Sequence, residues 1–401
     1  MKLKRIALAT AAALAAPAAA LAQSNVQIYG TLNGDFESVK ATGSATGVNF
    51  PSRNRVTSNS SNVGLRGTED LGQGLRAFFQ IESFVGFDNG TTSGFWASRN
   101  SGVGLMGNGW GQVFLGQWDS PYKYTTVRFD PTGNTGIAAY TGILGGTGSI
   151  TAGQGGSTFA ERASFDRRVQ NVLQYWTPTW NGLSGRFAYG TGDVNVGSTA
   201  TGVSEASMLR PALYSASVAY EIGPLYATAA YERHKDFQAL NTLLGAAASP
   251  GKDDAWKAGL QYAFLGNAAS IGGIVEQLKY KADDIGGLGP LERKVLNFYL
   301  VGKYSVGPHA LGLSYGHKGQ EKLSGAGFSD LDDSSARQIS ARYGYSMSKR
   351  TQLYAIATKI SNDSNAFQTF GNSPITPTLI FRDPARGADP TGVGGGIIHT
   401  F

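Results

Sequence analysis

Cysteine is absent from the 401 residues, so neither a disulfide nor a thiolate metal ligand is available. The four histidines, His234, His309, His317 and His399, lack metal-ligand spacing. Charged residues make up only 15% of the chain, and no basic cluster interleaved with aromatics points to nucleic acid. The run GILGGTG at 142–148 lacks the Lys-Ser/Thr ending of a phosphate loop and reads as loop. Beyond the N-terminal stretch there is no apolar run of the roughly 20 residues that a membrane-crossing helix needs. Metal and cofactor chemistry thus find no footing here. Any crossing of lipid would have to be made by strands closed into a barrel, because unpaired backbone polar groups are not tolerated there.

What is present begins with glycine, 56 residues, about twice the usual share of roughly 7%. The chain starts MKLKRIALATAAALAAPAAALA. Lys2, Lys4 and Arg5 precede an Ala/Leu-rich stretch that is too short for a bilayer helix and is broken by Pro17. Ala20-Leu21-Ala22 then supplies a small-x-small site. The expectation is a signal peptide over 1–22, cleaved after Ala22, with a single domain over 23–401. Cleavage would leave 31 of the 34 basic residues against 28 acidic ones and lower the formal charge from +6 to +3.

Through the rest of the chain, segments of about ten residues alternate apolar and polar, as strands do. Val26, Ile28, Leu32 and Phe36 oppose Gln27, Tyr29, Thr31, Asn33, Asp35 and Glu37. Trp256, Leu260, Tyr262 and Phe264 oppose Lys257, Gly259 and Gln261, and Ile339, Tyr343 and Tyr345 oppose Gln338, Ser340 and Arg342. Short connections (68–73, 108–110, 179–182, 223–224, 265–268, 306–307, 347–350) alternate strictly with long polar ones (41–52, 88–94, 120–166, 193–210, 237–251, 282–290, 320–334, 362–390). A soluble sandwich has no reason for that asymmetry, whereas outer-membrane barrels have tight turns on one side and long loops on the other. The count is sixteen strands. Tyr220, Tyr262, Phe264, Tyr304, Tyr345 and Phe401 fall on the apolar face beside short turns or the chain end, the pattern of an interfacial girdle. The final run GVGGGIIHTF puts Ile397, His399 and Phe401 on one face. A terminal aromatic on such a strand resembles the assembly signal of Gram-negative outer-membrane barrels.

The runs VQIYGTLNGDFE, NVGLRGTEDLGQGLRAFFQIE, SRNSGVGLMGNGWGQVFLGQ, RVQNVLQYWTP and IIHTF together resemble the trimeric general porins of β-proteobacteria, the Neisseria- and Burkholderia-type family. The resemblance implies an all-β fold, a transmembrane antiparallel barrel of about sixteen strands with a long third external loop folded into the lumen. It also implies a homotrimer in the outer membrane, reached through the periplasm, whose partners are lipopolysaccharide, the barrel-insertion machinery acting on Phe401, and small hydrophilic solutes and ions. The long irregular segment after VFLGQWDSP supports the loop independently, since such segments are uncommon unless functional.

In that family arginines on the wall face acids on the loop. Carried over, the wall residues are Arg99 and Arg168. Arg168 is expected to share a face with Val172 and Gln174, opposite a lipid-facing Val169, Leu173 and Tyr175. At two family arginine positions this chain has Asn62 and Gln117, so the positive cluster is thinner. Arg76, Arg186, Lys257 and Arg342 fall on the same predicted lumen face. The loop acids are Asp119, Asp130, Glu161 and Asp166. The expected function is passive diffusion of small hydrophilic solutes through a water-filled pore, with a weak preference for anions and no enzymatic activity. A substrate-specific channel would differ by saturable block by one solute class. A barrel enzyme would need a Ser/His or Asp/His constellation at the outer rim, for which only His234 and His317 stand near loop starts.

Overall fold

Alternation of side chains with period two commits these segments to strands with one wet and one apolar face, and Gly-rich tight turns join them in antiparallel pairs. The computed structural model describes residues 25–45, 47, 49–90, 96–146, 164–191, 209–244, 246–371, 375 and 386–401. The expected signal peptide and Glu161 lie outside them. The first eight strands are β1 (Asn25–Thr42), β2 (Phe50–Ser58 and Asn62–Gly72), β3 (Leu75–Phe84), β4 (Ser101–Gly107), β5 (Gly111–Asp119), β6 (Arg168–Trp176), β7 (Leu183–Gly190) and β8 (Ala212–Ile222). The second eight are β9 (Leu225–Lys235), β10 (Lys252–Phe264), β11 (Ala269–Ala282), β12 (Leu291–Val306), β13 (His309–Lys318 and Lys322–Gly325), β14 (Ala336–Ser346), β15 (Thr351–Asn362) and β16 (Asp389–Thr400).

Each strand pairs antiparallel with its neighbours, and β1 pairs with β16 in the register Gly34↔Ile397, closing the sheet. The expected sixteen-stranded antiparallel barrel is therefore what forms. β2 and β13 are each interrupted once. In β2 the break at Ser60, with φ of 58°, is bridged by Asn59 N–H donating to the Asn33 carbonyl at 2.7 Å. The short turns sit at or beside the places the sequence marks, except that 68–72, expected as turn, continues as strand and the chain turns at Gln73-Gly74. At Asn181-Gly182 both residues have positive φ (49° and 84°), which matches the right-handed twist of the flanking strands. Among the described residues no helix is long and apolar enough to cross a membrane.

Outward side chains are exposed and apolar, among them Ile28, Phe36, Leu260, Leu300 and Ile339. The expected girdle residues Tyr220, Tyr262, Phe264, Tyr304, Tyr345 and Phe401 are all among them. A second exposed row, Tyr189, Tyr214, Tyr231, Trp256 and Phe298, lies nearer the long loops. At the seam, Phe401 exchanges backbone hydrogen bonds with Gly30 (3.1 and 3.2 Å). Its ring fills the space of the missing side chain, since a Cβ at Gly30 would stand 2.4 Å from the ring's Cζ.

One face assignment fails. Val169 is fully buried, packed with Val172, Phe114 and Trp118 on the inside. The β5–β6 register shifts between Gly116 and Trp118, and Asn171 takes a positive φ of 49°. An extra residue on one strand of a ladder reverses the alternation beyond it, so Val169 and Val172 face the same way.

The segment after β5 begins with helix α1 (Pro121–Val127), capped by the Ser120 hydroxyl accepting from Lys123 N–H at 3.3 Å. Pro121 suits the first turn, where no N–H partner is lost. Beyond it, residues 128–146 pack against inward-facing glycines of the wall. A Cβ at Gly259 would meet Phe129 at 2.8 Å, at Gly312 Pro131 at 2.3 Å, at Gly316 Ile143 at 2.9 Å, and at Gly392 Ile137 at 2.7 Å. Phe129, Ile137, Tyr140, Ile143 and Leu144 are buried there with Tyr299, Ile356, Ile360 and Phe370. These wall glycines make room for the segment.

Candidate functional site

On the β9–β12 wall the segment is anchored by charges that satisfy one another. Glu276, fully buried, accepts from the Tyr122 hydroxyl (2.9 Å), Gly145 N–H (2.8 Å) and Asn297 Nδ2 (3.1 Å). Lys257, 2% exposed, lies 3.8 Å from Glu276 and 3.8 Å above the Tyr122 ring, and it donates to Thr126 Oγ1. Removing one partner of such a cluster strands a buried charge. Next to it, His234 stacks between Phe165 (4.2 Å) and Phe237 (4.4 Å) and meets Glu232 at 2.8 Å.

Where the segment leaves the wall, the two wall arginines inferred from the family are braced. Arg168 pairs with Asp119 at 3.2 Å and donates to Asn100 at 2.7 Å, and Asn100 in turn donates to Asp119 at 3.0 Å. Lys123 bridges Asp119 (3.3 Å) and Asp166 (3.6 Å). Arg99 pairs with Glu82 at 2.6 Å. Gln117 donates to the carbonyls of Ala97 and Arg99 (3.2 and 3.3 Å), and Asn62 donates to Ser60 at 3.2 Å. Of the loop acids, Asp130 is turned into the segment and accepts from the N–H groups of Tyr140 (2.8 Å) and Thr132 (2.7 Å). Burial raises its carboxyl above the ordinary range against the pull of those bonds. Asp166, also buried, accepts from the Tyr140 hydroxyl and from Asn134 at 3.4 Å.

The remaining basic residues are held differently. Arg186 lies over the rings of Tyr124 (4.0 Å) and Trp176 (4.3 Å). Arg342 lies over Tyr354 at 5.1 Å and donates to Gln352 at 2.5 Å. Arg66 lies over Tyr29 at 4.8 Å and donates to Gln27. None of the three has a carboxylate within ion-pair distance among the described residues. Arg76 sits at the rim beside a short turn and donates to Asn108 at 3.3 Å. Arg128, at the end of α1, forms a two-pronged pair with Glu221 (2.7 and 2.8 Å), and Lys303 donates to its carbonyl at 2.6 Å.

Arg66, Arg128, Lys303 and Glu276 escaped the sequence reading. Arg66 shares inward parity with Asn62 inside a quoted motif, and Lys303 opposes the outward Tyr304, so alternation alone could have found both. The role of Glu276 depends on contacts 131 and 154 residues away in sequence, which no local pattern carries.

A family profile described as Gram-negative porin matches residues 9–365. Outer membrane porin protein 32 of Delftia acidovorans is 32% identical over 403 residues, 100% of each chain. Major outer membrane protein P.IB of Neisseria meningitidis serogroup B is 37% identical over 130 residues, 31% of this chain and 36% of that one. The solved anion-selective porin from Comamonas acidovorans aligns with a TM-score of 0.72 at 26% identity, covering 94% of this chain and 100% of its own.

Proposed function

The chain belongs to the Gram-negative porins and is an outer-membrane channel for passive diffusion, not an enzyme, and on that premise we propose that residues 120–146 form its constriction and that it prefers anions weakly. The observation that carries this reading is the contact of one segment with inward glycines on β10, β13 and β16, walls well separated around the barrel. Backbone that departs from strand is tolerated at membrane depth where it lines a water-filled cavity. The barrel is too wide for wall side chains alone to fill, so the segment sets the radius and the lining charge sets the sign. Arg186, Arg342 and Arg66 supply positive charge not cancelled locally, while Arg99 and Arg168 act chiefly as braces. Asn62 and Gln117 add none, which keeps the preference weak. An anion-selective relative of similar fold supports the sign.

Assembly follows the same logic. The exposed Ile28, Leu32 and Phe36 beside the β1–β16 seam suit a homotrimer contact. Lipopolysaccharide borders the rest of the outer rim, and export requires cleavage after Ala22. The ring of Phe401 seated on Gly30 is the feature offered to the insertion machinery. In planar bilayers the purified protein should insert in threefold conductance steps, with a salt-gradient reversal potential on the anion side. Single steps, or a cation-side potential, would refute trimer or sign respectively. Deleting Phe401 should deplete folded barrel in the outer membrane while export to the periplasm persists. Wild-type levels would refute its role.

A further inference from the structure

Between α1 and the inward faces of β7, β8 and β9 lies a cavity of about 450 Å³ lined by Tyr124, Arg128, Ser184, Arg186, Ser217 and Glu221. Its charges are unequal. Glu221 is fully engaged by the two-pronged contact with Arg128, so that pair adds no net charge. Arg186 is half-buried, is held by the Tyr124 and Trp176 rings at 4.0 and 4.3 Å, and has no carboxylate within ion-pair distance among the described residues. Directly across the ladder from it stands Ser217. A guanidinium fixed by aromatic faces keeps its donor edge free and gives up little further motion when a planar anion docks.

We propose that this cavity is a resting site for small aliphatic carboxylates, with Arg186 gripping the carboxylate through its fork and the Ser217 side offering room for the tail. The proposal rests on the diffusion-channel reading and adds to it a place where the passing anion pauses. The site is one-sided. Its lining includes Gly182 and Glu221, next to the short turns 179–182 and 223–224, so it opens toward the short-turn side of α1. A single charge-assisted contact is strong enough to slow a transiting anion yet weak enough to release it.

The test uses the full-length protein in planar bilayers carrying potassium chloride, with sodium propionate added to one side. Propionate from the short-turn side should reduce the chloride current saturably, and from the long-loop side less so. Arg186→Gln should weaken the apparent affinity about tenfold, the worth of one hydrogen bond to a charged group, read as the fraction of that variant's own unblocked current. Ser217→Leu, which fills the cavity and leaves the guanidinium in place, should abolish the block while the anion preference persists. The exposed short-turn substitution Lys349→Gln should leave the block unchanged. Equal block in wild type and either cavity variant, or a wild-type channel that conducts chloride without saturable block, would overturn the site. Absence of any conductance would instead overturn the channel reading.

Discussion

Two parts of the wall around the segment handle charge in opposite ways. Against β10–β12 the segment buries Lys257 and Glu276 with every close partner supplied by the protein itself. On β7 and β14, to either side of that wall, Arg186 and Arg342 lie on aromatic faces, with no carboxylate within ion-pair distance among the described residues. A buried, mutually satisfied cluster fixes position and projects little field. An arginine stacked on a ring is also held in place, but it keeps its charge available, and low-dielectric walls focus that charge into the passage. Residue type alone therefore says little about selectivity. What counts is whether the opposite charge is already in contact, and by that measure Arg99 and Arg168 belong with the anchor.

The largest effect is expected at Glu276. Glu276→Ala leaves Lys257 buried without its counter-charge, a loss of about 3–5 kcal/mol, and frees Tyr122, Gly145 and Asn297 together. The barrel ladder does not depend on these contacts. The expected outcome is a folded barrel with larger and noisier single-channel conductance, and wild-type currents would mean that the segment is held elsewhere. A smaller effect is expected at the arginines without a carboxylate partner among the described residues. Arg342→Gln removes one uncompensated charge near the passage and should lower the anion-to-cation permeability ratio about twofold at 0.1 M salt. The shift should fade near 1 M, where the screening length is about 3 Å. A reversal potential unmoved at low salt would remove Arg342 from the selectivity set. The smallest effect is expected at Arg168. Arg168→Gln alone removes one of the two cations paired with Asp119 and should shift selectivity toward cations. Arg168→Gln combined with Asp119→Asn deletes a neutral pair and should restore the wild-type ratio. A double variant as cation-shifted as the single one would show that Arg168 acts on the ions directly.

Strand alternation, the succession of short and long connections, the outward aromatics near the short turns and the terminal aromatic at Phe401 were all legible from the chain alone. Each depends on neighbours along one strand or on a turn of two to four residues, and the lipid outside enforces the apolar face at every position. The reversed face of Val169 was not legible, because a bulge at Asn171 is set by pairing with Gly116 and Trp118 on another strand. Nor was the division of the arginines into braced and open ones. Arg168 meets Asp119 and Asn100, Arg186 meets Tyr124, and Glu276 meets Tyr122, Gly145 and Lys257 only once the barrel closes around the segment. Sequence determined which face of the regular strands would be wet and that one long loop needed accommodation, because those follow from local periodicity and backbone hydrogen bonding. Tertiary structure decided which charges cancel, because cancellation depends on a few ångströms between residues that the fold brings together from up to 154 positions apart.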